Sequence, residues 1–143
     1  MTLAYFDTSV LVKNYVQEVG SARARALLRD HSFLSSSITP IELMSALMRR
    51  KSKGELEARD LPRILARMRE DRPYWKLVDV GPSVLSQGEE LIQKTQMRTL
   101  DAIHVASAMT FQTTSGIRIP FITSDGRQRD AAEQMNLQII WIG

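Results

Sequence analysis

The feature that most narrows the fold of this chain is an alternation: strand-length apolar runs separated by intervals long enough for a helix. The runs are Leu3 to Phe6, Phe33 to Ser36, Trp75 to Val80, Ile119 to Thr123 and Gln138 to Ile142. Apolar residues at helical spacing fill the intervals, as at Val10, Leu11, Tyr15 and Val16. Parallel neighbours cannot be joined by a tight turn, whereas a helical crossover joins them readily. The pattern therefore predicts an α/β fold, with a parallel sheet of about five strands flanked by α-helices. At 143 residues the chain has the size of one domain, spanning 1–143.

Local signals place the helices. Thr8 and Ser9 offer N-caps for the first, and Ser21 to Arg29 reads as a second amphipathic stretch. Thr39 as N-cap with Pro40 at the first helical position starts a third, which Gly54 ends. A charged helix follows to about Glu70, with Pro62 in its first turn or at a kink. Gly81-Pro82 opens the next, Thr99 or a neighbour caps another from Leu100 to about Phe111, and Thr113 to Gly116 reads as the loop ending it. Asp125 to Met135 makes a last short helix.

Cysteine is absent, which removes disulfides, thiolate zinc sites and cysteine nucleophiles. Two histidines cannot build a three-His site, so a bound metal would be a hard cation such as magnesium or manganese, held by carboxylates and water. No stretch approaches the ~20 apolar residues of a membrane span. The N-terminus lacks the pattern of a signal peptide, and the expected location is the cytoplasm.

In open α/β sheets ligands bind at the carboxyl ends of the strands, and four acids can reach that edge. Asp7 follows the first strand, Glu42 lies in the first turn after the second, Asp101 begins the helix before the fourth, and Asp125 lies just past the fourth. Each has a structural explanation, because helix N-termini favour carboxylates. Glu42 with Thr39 makes a capping-box pattern, Asp125 before Gly126 suits a turn or cap, and Asp101 suits a first turn. Asp7 is harder to explain so, since an acid at the end of a buried strand loses hydration. Four converging acids would repel one another unless a divalent cation bound among them.

The segments Phe6-Asp7-Thr8-Ser9, Thr39-Pro40-Ile41-Glu42-Leu43, Asp101-Ala102-Ile103-His104-Val105-Ala106 and Ile122-Thr123-Ser124-Asp125, in this order, make the sequence resemble the PIN-domain ribonucleases of the VapC toxin type nearly end to end. The resemblance implies an acidic pocket binding Mg2+ (or Mn2+) and endonucleolytic RNA cleavage leaving a 5′-phosphate and a 3′-hydroxyl. It makes Asp7, Glu42, Asp101 and Asp125 the catalytic acids, with Asp7, Asp101 and Asp125 on the metal. Glu42 would ligate through water or orient the nucleophile. It puts Thr8, Ser9 and Thr123 where hydroxyls assist near the metal, ordinary capping being the other reading of Ser9. Arg98 falls where a basic residue touches substrate phosphate or a neighbouring acid. Gln128 departs from the family, whose members often carry an apolar residue there; this leaves Asp130 as an alternative to Asp125. His104, in an apolar context, reads as a core histidine, and Met44, Met48, Met68 and Met109 as core or interface fillers.

Residues 49 to 76 hold ten Lys or Arg against five Asp or Glu, a local charge of +5 within a net charge of +3. Arg49, Arg50, Lys51 and Lys53 are thus candidates to neutralise an RNA backbone, a contact that positions without reading sequence; the same window also suits a solvated helical surface. The resemblance further implies a cognate antitoxin protein and a homodimer or larger assembly, with an apolar groove and dimer face on helices near residues 10 to 16 and 40 to 70. Haloacid-dehalogenase chemistry would require a second Asp where Ser9 stands, and a receiver domain an acid pair and a late lysine that are not evident. A PIN-like protein that binds RNA without cutting it remains the non-enzymatic rival, disfavoured by the presence of all four acids.

Overall fold

The computed structural model describes residues 1–143. Five strands, β1 (Leu3–Phe6), β2 (Ser32–Ser36), β3 (Lys76–Val78), β4 (Pro120–Thr123) and β5 (Gln138–Trp141), form one sheet in the order β3-β2-β1-β4-β5. Every pairing is parallel, with Tyr5 opposite Leu34 on one side and Phe121 on the other. The seven helices are α1 (Thr8–Tyr15), α2 (Ser21–Asp30), α3 (Thr39–Ser52), α4 (Leu61–Asp71), α5 (Pro82–Thr95), α6 (Thr99–Ser115) and α7 (Gly126–Gln134). The α/β expectation holds, and no helix is long and apolar enough to cross a membrane.

Alternation along β1 divides the core between the two faces of the sheet. Tyr5 packs with Leu34 and Phe121 beneath Val84 and Leu91 of α5 and Val105 of α6. Ala4 and Phe6 point the other way, against Val10 of α1 and Ala24 and Leu27 of α2. A third cluster joins α1 to α3 and α4 through Leu11, Tyr15, Leu43, Leu47, Ile64 and Met68. Each such buried side chain contributes roughly 1.5–3 kcal/mol relative to exposure. The chain order turns back at β1, whose neighbours β2 and β4 lie on opposite sides. A crevice is therefore expected beyond the carboxyl ends of β1 and β4.

Several local expectations are corrected. Thr8 and Ser9 are helical, and Asp7 is the cap of α1, accepting from the Ser9 amide at 3.0 Å. Thr39 does not cap α3 with its side chain: its hydroxyl lies 2.6 Å from that of Ser35 and accepts from the Ser36 amide, binding the helix start to β2 instead. Thr99 is the first residue of α6, and its neighbour Arg98 holds the cap position without a side-chain cap bond. That helix continues through Thr113 to Ser115, because the stop is Gly116, in the left-handed region at φ 73°. Residues 10 to 16 do not offer an open apolar face. Val10, Leu11, Val12 and Tyr15 are buried, whereas Ile41, Met44 and Met48 expose a stripe on α3 and Leu85, Ile92 and Leu100 a second patch on α5 and α6.

Candidate active site

Asp7 sits where β1 ends and α1 begins, almost wholly buried. One carboxylate oxygen accepts from the amide and hydroxyl of Ser9, the other from the hydroxyl of Thr123 at the end of β4. The same two hydroxyls reach across to the next loop: Thr123 Oγ1 accepts from the Asp125 amide at 3.0 Å, and Ser9 Oγ from the Ser124 amide at 3.1 Å. Ser9 and Thr123 thus stitch the ends of β1 and β4 together around one carboxylate. No cation bonds to it. Burial pushes its carboxyl above the usual range; nearby His104 and the hydroxyls of Ser9 and Thr123 draw it down, and Asp125 drives it up again.

Asp125 is the cap of α7, accepting from the Arg127 amide at 2.9 Å, so the capping explanation holds for its backbone position while its charge still reaches Asp7 and Asp101. Asp101, in the first turn of α6, is also raised, by burial first and then by Asp125, against the opposing pull of Arg127, His104 and Arg98. Asp130, the alternative fourth acid, is exposed and paired with Arg129 at 3.1 Å, whereas the charge of Asp125 acts on Asp7 and Asp101.

Glu42 makes no capping box. Its Oε1 accepts from the Thr8 hydroxyl and from His104 Nε2, both at 2.6 Å, so the carboxylate is turned toward α1 and α6 rather than back along α3. Burial would raise its pKa, but the bonds from His104 and Thr8, with the charge of Arg49, bring it below the usual range.

Two residues of the site were passed over in the sequence. His104 is buried as expected, yet it is polar on both sides, with Nδ1 2.7 Å from the Tyr5 hydroxyl and Nε2 on Glu42. Gln128, the departure from the family pattern, is buried with its Nε2 donating to Asp101 at 3.1 Å. The available signal was spacing: a polar residue one turn after an acid on an otherwise apolar helix face.

Nowhere do three ligating side chains close on one point, so the acids share an edge without forming a finished cage. Their chemistry nonetheless suits a hard divalent cation. Three carboxylates within charge range, two of them raised by burial and like charge, call for a positive partner. The only buried side-chain polar atom lacking a hydrogen-bond partner is Gln128 Oε1, on the amide that holds Asp101. A bare acceptor there is what the donating waters of a hydrated cation would satisfy.

Of the four basic candidates, Arg50 is committed to Glu18, Nε to Oε2 at 3.0 Å, and only part-exposed. Arg49, Lys51 and Lys53 are exposed on the same end of α3, and Arg49 is near enough to Glu42 to affect its charge.

The model of the PIN domain matches residues 4–134. Ribonuclease VapC46 of Mycobacterium tuberculosis is 33% identical over 141 residues, covering 98% of each chain. Ribonuclease VapC35 of the same species is 30% identical over 96% of each. Among solved structures, a toxin-antitoxin complex from Klebsiella pneumoniae has a chain of the same fold, with a TM-score of 0.61 at 20% identity over 85% of this chain and 86% of that one.

Proposed function

Since the chain belongs to the PIN-domain family of VapC-type ribonucleases, we propose that it is a metal-dependent endoribonuclease, the toxin of a toxin-antitoxin pair neutralised by a cognate antitoxin. The observation that carries this reading is the buried Asp7, without a cation partner, within charge range of Asp125, which in turn reaches Asp101, at the carboxyl edge of the sheet.

Asp7, Asp101 and Asp125 would hold Mg2+ (or Mn2+), which when bound acidifies water and offsets charge growing on the scissile phosphate. Ser9 and Thr123 fix both oxygens of Asp7, and Gln128 fixes one of Asp101, so the donors are oriented in advance of binding. Glu42, drawn below the usual carboxylate range, would ligate through water or orient the attacking water. An acidic pocket repels RNA, and the exposed Arg49, Lys51 and Lys53 counter that by neutralising backbone phosphates. Arg98, exposed at the start of α6 and near enough to pull on Asp101, would touch either substrate phosphate or that neighbouring acid. The reaction would leave a 5′-phosphate and a 3′-hydroxyl, in the cytoplasm, and the working toxin would be a homodimer.

Incubating purified protein with RNA in Mg2+ or Mn2+, beside EDTA and Asp7→Asn controls, tests the reading. Cleavage is expected only for the unsubstituted protein with free metal. Intact RNA in both metals would end the nuclease proposal, and a preference for a DNA substrate in the same assay would move the chain to another nuclease role.

A further inference from the structure

The buried histidine of α6 stands in a hydrogen-bond chain that runs from the central strand to Glu42. Every participant's hydrogen can be followed. The Thr8 hydroxyl donates its single hydrogen to Glu42 Oε1, so at His104 Nε2, 3.3 Å away, that hydroxyl can only accept. Glu42, a carboxylate, also only accepts. Both partners of Nε2 are therefore acceptors, and the hydrogen must reside on Nε2. At the opposite side of the ring the sole partner of Nδ1 is the Tyr5 hydroxyl at 2.7 Å. That phenol is fully buried and carries a single hydrogen to donate. Nδ1 is the only group within hydrogen-bond geometry of the Tyr5 hydroxyl, so the phenol hydrogen goes there. Tyr5 donates, and Nδ1 accepts.

We propose that His104 is the positioning residue for Glu42: Tyr5 locks its imidazole in the Nε2–H form, and His104 with Thr8 saturates Glu42 Oε1, leaving Oε2 as the oxygen that meets the attacking water. The proposal rests on the nuclease reading and gives it a finer assignment. Oε1 already receives two hydrogen bonds at 2.6 Å, while Oε2 receives none from the protein. The carboxylate is part-exposed, so a free oxygen has solvent within reach. Tyr5 lies fully buried in the middle strand between Leu34 and Phe121, so the chain of bonds is anchored at the centre of the sheet.

Two measurements test this. Long-range proton–nitrogen NMR of the wild-type protein should show His104 with a bare Nδ1 and a hydrogen on Nε2. A hydrogen on Nδ1 overturns the lock, whatever the activity. Steady-state RNA cleavage should then give a loss in kcat of about tenfold or more for His104→Leu, with KM nearly unchanged. His104→Gln, whose amide nitrogen can replace Nε2, should recover most of it. In a Glu42→Gln background, His104→Leu should cost nothing further, since the residue acts through Glu42. An equal loss in that background, or no recovery in His104→Gln of unchanged Tm, overturns the positioning role. If the wild-type protein leaves RNA intact, the nuclease reading falls and takes this role with it; a cleaving wild type with the wrong double-mutant result overturns the role alone.

Discussion

The carboxylate of Asp7 shows most directly how function opposes stability in this chain. Its folded pKa is raised by burial, so the folded state favours the protonated form; the associated stability is present below the ordinary aspartate value of about 3.9 and is lost as pH rises through the folded value. Asp7→Asn removes that cost while keeping an oxygen to cap α1. The variant should be more stable than wild type at neutral pH, by on the order of 1 kcal/mol, with the difference vanishing in acid, and it should be inactive. Thermal unfolding across pH measures this; a neutral-pH Tm below wild type would show that the charge is compensated. Added Mg2+ should raise the Tm of wild type and not of Asp7→Asn, because only a folded-state site links ligand to stability. At this scale the sequence was readable for the acids and opaque for their partners. Glu42 matched a capping box by spacing alone, yet its bonds go to Thr8 and His104, residues 34 and 62 positions away. Gln128 looked like a break in a pattern because its partner, Asp101, lies 27 residues back.

Elements were legible where backbone chemistry is local. Pro40, Pro62 and Pro82 all fall in first turns, where the missing amide hydrogen costs nothing. The errors came where a side chain found a distant partner, as Thr39 did in Ser35, or where a stop signal lay one turn beyond the last apolar residue, as at Gly116. The link between α1 and α2 depends on Gly20, at φ 90°, where an added Cβ would stand 2.9 Å from Ile142 Cγ2. Gly20→Ala combines left-handed strain with that contact and should lower stability by about 1–2 kcal/mol in chemical denaturation, with cleavage per folded molecule unchanged. A neutral result would mean that the β5 end yields freely. The neighbouring Glu18 receives Lys13 and Arg50, and although burial would raise its pKa, these cations lower it. Its depressed value means a stabilisation present above the ordinary glutamate pKa and lost as pH falls through the folded one. Arg50→Ala should therefore cost stability at pH 7, by up to ~1 kcal/mol, and progressively less in acid.

For the whole molecule, the proposed function has an acidic sheet edge and a basic helix end act on the same polyanion. If Arg49, Lys51 and Lys53 each neutralise a phosphate, replacing all three with alanine should reduce the slope of log affinity against log salt by about two, since each contact to single-stranded RNA contributes roughly 0.7. Binding measured by fluorescence anisotropy with inactive Asp7→Asn protein gives that slope; an unchanged value would assign these cations to the solvated surface of α3. Sequence by itself determined the class of the fold and the order of strands and helices, and it offered four candidate acids with a hard cation as their expected partner, because these follow from local periodicity, turn chemistry and the residue types available. Only the tertiary structure decided that Asp7 is clasped by Ser9 and Thr123, that Arg50 belongs to Glu18, and that His104 and Gln128 hold two of the acids. Those bonds join residues that meet only when the parallel sheet brings its carboxyl ends to one edge, and a side chain's partner there is set by distance in space, which spacing along the chain does not encode.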